Sequence, residues 1–254
     1  MVLVVFVPFV LAFVREHPPF SEAGKPNQST LSANPWNLRQ AVLSGRYWAL
    51  SGLYFLGVVS FQVLMTHQVA HADAIGFDRT LSATVFGTMG GITLVGSLLG
   101  GWLSDRWGRE RVFFAGSMIG TVGVFAFAFL AFQPSLWLLL LYALANGVGF
   151  GIRLSLLGVL SADVFLGPNY ARVLGTFGVA NALGGFVGPL LGGYVFDLSQ
   201  SYFVAIVVSG TVLLLSGALV WSVAPSKGEF RPRGAPNATG ASPPTPSSTA
   251  VGGV

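Results

Sequence analysis

Long apolar runs separated by short polar breaks occupy most of the chain between residues 47 and 223. An α-helix needs about 20 residues to cross a hydrocarbon core of about 30 Å, and each run reaches that length. A membrane barrel would instead show segments of about 10 residues that alternate apolar and polar positions. The pattern therefore predicts six membrane-spanning helices, near residues 47–70, 81–103, 112–132, 135–160, 173–196 and 202–223.

The regions outside these runs have a different character. Residues 1–14 form a seventh apolar run that is too short for a full crossing. We interpret it as a partial, truncated span, because no basic residue precedes it as one would in a signal peptide. Residues 15–46 predict a polar linker. Residues 224–254, rich in Pro, Ser, Thr, Gly and Ala, predict a disordered tail.

Composition supports the membrane assignment. Of the 254 residues, 9% are charged and 53% are hydrophobic, and the mean hydropathy is +0.71. A soluble domain carries about 25% charged residues, so an ordinary soluble enzyme is excluded. The chain has no cysteine, which excludes disulfides and thiolate metal sites. A net charge of +4 gives no indication of nucleic acid binding.

The basic residues predict an orientation. Eleven of the 13 Lys and Arg residues fall in alternate loops on one side of the predicted spans, and only Arg79 falls on the other. Cytoplasmic loops carry the excess of basic residues in membrane proteins. We therefore expect the 15–46 linker, the 104–111 loop and the 224–254 tail to be cytoplasmic in a multi-pass protein of the cell membrane.

The loop after the second predicted span has the spacing G-x-x-x-D-R-x-G-R-x-R, from Gly101 to Arg111. Gly108 allows a tight turn, and Asp105 can pair with Arg109 or face a helix N-terminus. The spacing resembles the cytoplasmic loop signature of the major facilitator superfamily, a class of secondary transporters. The resemblance implies a latch between transporter halves, with conformational roles for Gly101, Asp105, Arg106, Gly108 and Arg109.

The fifth predicted span carries a ribbon of glycines at every fourth position, namely Gly184, Gly188 and Gly192. A neighbouring helix can approach closely along such a ribbon. Pro189 cannot donate a backbone hydrogen bond, so a kink is expected there. Two interpretations stay open, tight packing or a hinge. The spacing resembles the glycine–proline motif of antiporter members of the superfamily, which implies a conformational role for Gly184, Gly188 and Pro189.

Three further stretches sharpen the resemblance: an outer loop at 67–77, the Gly147–Gly151 cluster and the region from Gly188 to Tyr202. With the 101–111 loop they look like the C-terminal half of monocarboxylate-transporter-like and oxalate/formate-antiporter-like members. The resemblance covers about residues 47–223. It implies six helices of a twelve-helix fold, and transport of small organic solutes, monocarboxylate-like anions among them, by alternating access, as an antiporter or a symporter.

Arg153 is the one ionisable side chain well inside a predicted span. Such residues are costly in lipid and are candidates for function. It either contacts an anionic solute or extends towards the membrane surface. Asn146 lies seven residues earlier on nearly the same helix face, and the other polar candidates for a solute cavity are Tyr54, Gln62 and Asn181.

Other functions find less support. His67 and His71 lie four residues apart, but no third ligand beyond Asp73 is evident, so no metal site is predicted. No cofactor motif occurs, and the spans hold no serine–histidine set, so we do not expect an enzyme. The expected partners are the lipid bilayer, a small, anionic solute, and a missing N-terminal six-helix half or a second copy of the chain, without which we do not expect transport. The alternatives are a half-transporter that acts only as a dimer or with a second chain, and a non-transporting membrane scaffold.

Overall fold

A computed structural model describes residues 36–167 and 169–223. Within these ranges all regular secondary structure is helical, which confirms the predicted all-α membrane class. The partial span at 1–14, the linker before residue 36 and the tail at 224–254 lie outside the described residues.

Six long helices correspond to the six predicted spans, and each is long and apolar enough to cross a membrane. Several of them extend beyond the predicted limits by about one turn, because the polar residues that close each apolar run are still helical. Two short helices, Leu38–Val42 and Val220–Val223, precede and follow the bundle. The long helices are α1 (Gly45–Ala74), α2 (Arg79–Trp107), α3 (Arg109–Phe129), α4 (Leu136–Phe165), α5 (Tyr170–Ser199) and α6 (Tyr202–Ala218).

The segment at 67–77, expected as an outer loop, is helical as far as Ala74. That expectation was wrong, because the polar residues there do not end the helix: Gln68 and His71 are buried against other helices. The turn follows at Gly76, with φ at +93°, and Asp78 then caps α2 by accepting a 2.9 Å hydrogen bond from the backbone N–H of Leu81.

The charged connection between α2 and α3 is shorter than the sequence indicated. Residues 104–107 belong to α2, and α3 begins at Arg109, so Gly108 alone joins the two helices. Its φ of +90° is a conformation that favours glycine, which confirms the predicted tight turn.

The helices pack in the order α2, α4, α3, α6, α1, α5 across the bundle. The flanking helix α2 packs mainly on α4, and α5 packs mainly on α1, while α3 and α6 contact each other at the back. The backbones of α1 and α4 approach each other at few points, so the space between these two helices is filled mainly by side chains. This space positions the candidate site.

The two helix triplets, α1–α3 and α4–α6, are related as an internal repeat. A Cβ at Gly96 of α2 would lie 2.8 Å from Val148 Cα of α4, and a Cβ at Gly188 of α5 would lie 2.9 Å from the Val59 carbonyl oxygen of α1. Residues 98–105 and 190–197 both read Leu-Leu-Gly-Gly-x-x-x-Asp. Tyr47, near the start of α1, contacts Phe165 at the end of α4, so the repeats run in opposite directions.

The predicted glycine ribbon of α5 is buried against α1. A Cβ at Gly184 would lie 2.7 Å from the Phe55 carbonyl oxygen, and one at Gly192 would lie 2.5 Å from His67 Cδ2. α5 passes through Pro189 as one continuous helix. The ribbon thus permits close helix packing, and the hinge role stays a prediction.

Candidate functional site

A small cavity lies in the gap between α1 and α4, closed at the back by one residue each from α3 and α6. Its volume is about 10 Å³, which is room for about one water molecule. Both front helices line it with the same spacing, i, i+3, i+4 and i+7. The lining residues are Gly57, Ser60, Phe61 and Leu64 from α1, Asn146, Gly149, Phe150 and Arg153 from α4, Gly120 from α3 and Leu213 from α6.

Arg153 is the charged group of this cavity, and its side chain is buried, with 5% exposure. Nη2 donates a 2.8 Å hydrogen bond to Ser216 Oγ of α6, and that hydroxyl donates in turn to the Leu53 carbonyl oxygen at 3.2 Å. The guanidinium carbon lies 5.2 Å from the centre of the Phe113 ring, a cation–π arrangement. Nε is buried and has no hydrogen-bond partner among the described residues.

No carboxylate among the described residues pairs with Arg153. Asp163, the nearest acid in sequence, forms an ion pair with Arg109 instead, and Asp73 pairs with Arg79 at 2.8 Å. A buried cation without an anionic partner is costly in a low-dielectric interior. The cavity therefore holds a guanidinium that is only partly satisfied.

Gly57 of α1 provides the space for the Arg153 head group. A Cβ at Gly57 would lie 2.5 Å from Nη2 of Arg153 and 3.5 Å from Ser216 Oγ. Any larger residue at position 57 would displace the guanidinium. Sequence reasoning did not single out Gly57 or Ser216, because neither residue type signals a site without the tertiary contact.

The structure brings some of the predicted polar residues together and separates others. Asn146 is buried in the cavity wall beside Arg153. Tyr54 lies outside the wall, where its Oη is 3.2 Å from Ser161 Oγ of α4 and its ring stacks on Phe177 at 5.4 Å. Gln62 packs against Gly188 in the contact with α5, and Asn181 is exposed on α5.

Phe61 and Phe150 occupy corresponding positions of the two repeats. Their ring centroids are 4.3 Å apart and their planes differ by 8°, so the rings are stacked. Both are partly exposed, whereas Arg153, Asn146 and Ser60 behind them are buried. The pair therefore spans from α1 to α4 and covers the cavity. The equal spacing around these two residues was a signal available in the sequence.

The charged loop lies at one end of the bundle. Arg109 of α3 forms its ion pair with Asp163 of α4, not with Asp105. Asp105 is exposed, and the Arg106 guanidinium lies 4.1 Å from the centre of the Trp102 ring. Gly101 has open space where a side chain would stand. Of the two alternatives for Asp105, the pairing with Arg109 does not form, because Asp163 in the last turn of α4 pairs with Arg109 instead.

A second buried polar group lies towards the opposite end. Tyr142 Oη donates a 2.8 Å hydrogen bond to Gln68 Oε1, and the Tyr142 ring stacks on Phe127 at 4.2 Å. His71 packs edge-on against the same Phe127, while Nε2 of His67 lies 3.5 Å from the Pro189 carbonyl oxygen. Both imidazole rings also lie near the Tyr202 ring, with centroids 5.9 Å and 6.4 Å away, and no group of three potential metal ligands occurs among the described residues.

Comparison with known proteins agrees with this architecture. The family model described as Major Facilitator Superfamily matches residues 1–134 and 50–251. The chain is 26% identical to the riboflavin transporter RibJ of Trypanosoma cruzi over 63% of its own length and 36% of that protein. It is 26% identical to monocarboxylate transporter 12-B of Danio rerio, over 70% of the chain and 38% of that protein.

A bacterial relative matches at a similar level. The shikimate transporter of Escherichia coli is 26% identical over 65% of the chain and 40% of that protein. The chain therefore spans less than half the length of these curated relatives. The family match extends over nearly the whole chain, and the six described helices can each cross a membrane. This chain belongs to the major facilitator superfamily and is a multi-pass membrane protein.

Proposed function

We propose that this chain forms the C-terminal six-helix half of a secondary transporter for small organic anions of the monocarboxylate type. One observation carries the proposal: a buried arginine faces a cavity between two helices, without a carboxylate partner among the described residues. A solute carboxylate would supply the missing anion. Planar guanidinium groups bind carboxylates with two parallel hydrogen bonds.

The residues around the cavity have distinct proposed roles. Arg153 binds the solute carboxylate through Nε and a terminal nitrogen, since Nε is unpartnered. Asn146, in the same wall, orients the solute by hydrogen bonding. Tyr54 holds α1 against α4 through Ser161 and acts at the margin of the site.

Alternating access requires a second unit against which this one can move. The flanking helices offer faces for it. On α2, Gly87, Gly90 and Gly91 have open space at the Cβ position, and on α5 the same holds for Gly175 and Gly178. We propose that these faces pack against a second six-helix unit, either an N-terminal half or a second copy of this chain.

The two remaining polar candidates fit this proposal as contacts made in the assembled transporter. Asn181 is exposed on α5, so a solute contact at Asn181 needs the second unit in place. Gln62 lies at the contact between α1 and the α5 ribbon, so its side-chain contacts would change when α5 moves along α1.

The proposed conformational roles concern the end of the bundle that carries the charged loop at 104–111. We propose that exposed Asp105 engages the second unit in one state and releases it in the other, while the Arg109–Asp163 pair fixes the loop to α4. Gly184, Gly188 and Pro189 let α5 shift along α1. The charge distribution of the loops supports a cytoplasmic location for this end and for the C-terminus.

Uptake in proteoliposomes tests the proposal. Radiolabelled monocarboxylates with and without a ring, benzoate and lactate, would be the solutes, and the chain would be reconstituted alone and together with a purified N-terminal half from a related transporter. We expect uptake only with a second unit present, and loss of uptake in Arg153→Ala. A second test uses liposomes that each contain no more than one copy of the chain. Uptake by such liposomes would contradict the half-transporter proposal. If no monocarboxylate binds with or without a second unit, the proposed anionic solute is wrong.

A further inference from the structure

Besides Arg153 itself, the stacked aromatic pair in front of the cavity is the feature that bears most on the solute. Phe61 and Phe150 hold equivalent places in the two repeats, and their rings lie 4.3 Å apart and nearly parallel. The backbones of α1 and α4 lie apart here, and the other side-chain contacts between them, Tyr47 with Phe165 and Tyr54 with Ser161, lie nearer the charged end. The pair thus closes a gap that the helices leave open.

The cavity behind the pair is too small for an organic acid. With about 10 Å³ it accommodates about one water molecule. The walls on the other sides are helix backbone and buried side chains, among them Gly120 of α3 and Leu213 of α6. A solute therefore reaches Arg153 only when the Phe61 and Phe150 rings separate.

Separation of the rings has a cost that depends on the solute. Two parallel rings give up their stacking contact, and a small hydrophilic anion provides nothing in its place. A flat ring that enters between them, or beside one of them, restores aromatic contact on its own faces. The pair thus discriminates by the shape and polarisability of the solute body.

The remaining lining determines the charge of the solute. Arg153 is the one cationic group, Ser60 and Asn146 are the other polar side chains, and Leu64 and Leu213 are apolar. One cation matches one carboxylate, and a second carboxylate would have to be buried unpaired. The rest of the wall suits an apolar body.

We propose that Phe61 and Phe150 form an aromatic gate in front of Arg153 that selects monocarboxylates bearing a flat unsaturated ring. This inference rests on the proposed function, because it takes Arg153 as the carboxylate-binding group. It adds the solute class and two specificity-determining residues.

Equilibrium binding to the full chain in lipid nanodiscs tests the gate, since every lining residue belongs to this chain. Benzoate and cyclohexanecarboxylate form a matched pair of probes, because they share the carboxylate and the ring size but differ in flatness. Acetate reports the carboxylate site without a ring. We expect benzoate to bind about five- to tenfold more tightly than cyclohexanecarboxylate, as expected for one aromatic contact.

Variants separate the gate from the carboxylate site. Phe61→Leu and Phe150→Leu should each bring the benzoate preference close to one, and neither should weaken acetate binding, because acetate then has no stacked ring pair to separate. Phe150→Tyr keeps the ring and should keep the preference, which covers the case in which a leucine variant does not fold. Phe186→Leu, an exposed position on α5, is the control and should match the wild type.

The outcomes distinguish the two proposals. Equal affinity for benzoate and cyclohexanecarboxylate in the wild type, with both lost in Arg153→Gln, would overturn the gate and leave the carboxylate site standing. Unchanged affinities in Arg153→Gln would overturn the proposed function and the gate with it. Absence of binding for all three acids would do the same.

Discussion

The two helices that line the cavity have the same geometry and different chemistry. α1 and α4 each contribute residues at i, i+3, i+4 and i+7, and both place phenylalanine at the third of these positions. At the first and last positions α4 has Asn146 and Arg153, whereas α1 has Gly57 and Leu64. The guanidinium and the amide that line the cavity thus both belong to α4, whereas α1 contributes only the Ser60 hydroxyl as a polar side chain.

The difference shows how two repeats with the same backbone packing can form a binding site whose charged group comes from one repeat only. The long arginine side chain of α4 needs an empty volume, and α1 provides it with Gly57, whose Cβ would lie 2.5 Å from Nη2. A second positively charged side chain on α1 would repel the Arg153 guanidinium. Symmetric packing therefore holds the bundle together, and asymmetric substitution within it produces a candidate binding site.

The largest effect is expected from a break in the packing that both repeats share. Gly188→Leu would place a side chain against Gln62 Cβ, which lies 2.6 Å from the Cβ position, and against the Val59 carbonyl oxygen. Overpacking of this kind costs about 1–3 kcal/mol, or more where backbone must move. We expect a lower melting temperature and poor expression, measured by fluorescence-detected chromatography after heating.

Gly193→Leu is the matched control for this substitution. It lies on the same helix, but nothing stands within 4 Å of its Cβ position. The two variants should differ clearly in thermal stability. If Gly188→Leu retains wild-type stability, the close contact between α5 and α1 is not what holds α5 in place.

A smaller and more specific effect is expected from Gly57→Ala. The added methyl group would displace the Arg153 head group and break its hydrogen bond to Ser216, a loss of about 1–2 kcal/mol. A double-mutant cycle with Arg153→Gln isolates this coupling. We expect Gly57→Ala to lower stability in the wild type and to have almost no effect in Arg153→Gln. Equal effects in both backgrounds would mean that Gly57 serves helix packing alone.

The two copies of the Leu-Leu-Gly-Gly-x-x-x-Asp segment end in Asp105 and Asp197, at opposite ends of the bundle. Only the first is followed by arginines and a glycine turn. Asp105→Asn should slow exchange between conformations several-fold while leaving solute affinity nearly unchanged, as expected for a group remote from the cavity. Asp197→Asn is the control. Counterflow and equilibrium binding in the assembled transporter measure the two quantities, and a loss of binding with normal exchange would contradict the latch role.

The smallest effect on the protein is expected from single cysteine substitutions that test the orientation of the chain in the membrane. The Asp73–Arg79 pair and the charged loop lie at opposite ends of α2, so the proposed topology puts them on different sides of the membrane. In intact cells, a cysteine at Ala74 should react with an impermeant thiol reagent, and one at Ser247 should react only after permeabilisation. The reverse pattern would invert the proposed topology.

Much of the fold was predictable because span length and local turn chemistry are properties of short segments. The six apolar runs predicted the six long helices, and Gly108 predicted the turn between α2 and α3. The four-residue spacing of Gly184, Gly188 and Gly192 predicted which face of α5 contacts another helix. Arg153 was recognisable as a buried charge from its position in an apolar run.

The partners of these residues were not predictable in the same way. Ser216 receives the Arg153 hydrogen bond from 63 residues away, and Asp163 pairs with Arg109 across 54 residues. Such contacts depend on how the helices pack, which one segment does not encode. The internal repeat was present in the sequence, in the two Leu-Leu-Gly-Gly segments and the matched phenylalanines, and it would have indicated the cavity.

The affinity of the assembled transporter for a monocarboxylate, compared among wild type, Arg153→Lys and Arg153→Ala, tests the central claim most directly. Lysine keeps the charge but loses the planar pair of donors, so it should bind carboxylate more weakly, and alanine should abolish binding while the protein stays folded in the membrane. Folding would be checked by the melting temperature of each variant. A graded loss in the order wild type, Lys, Ala is the predicted result. Equal affinities in all three would show that Arg153 is a structural residue and would remove the basis for an anionic solute.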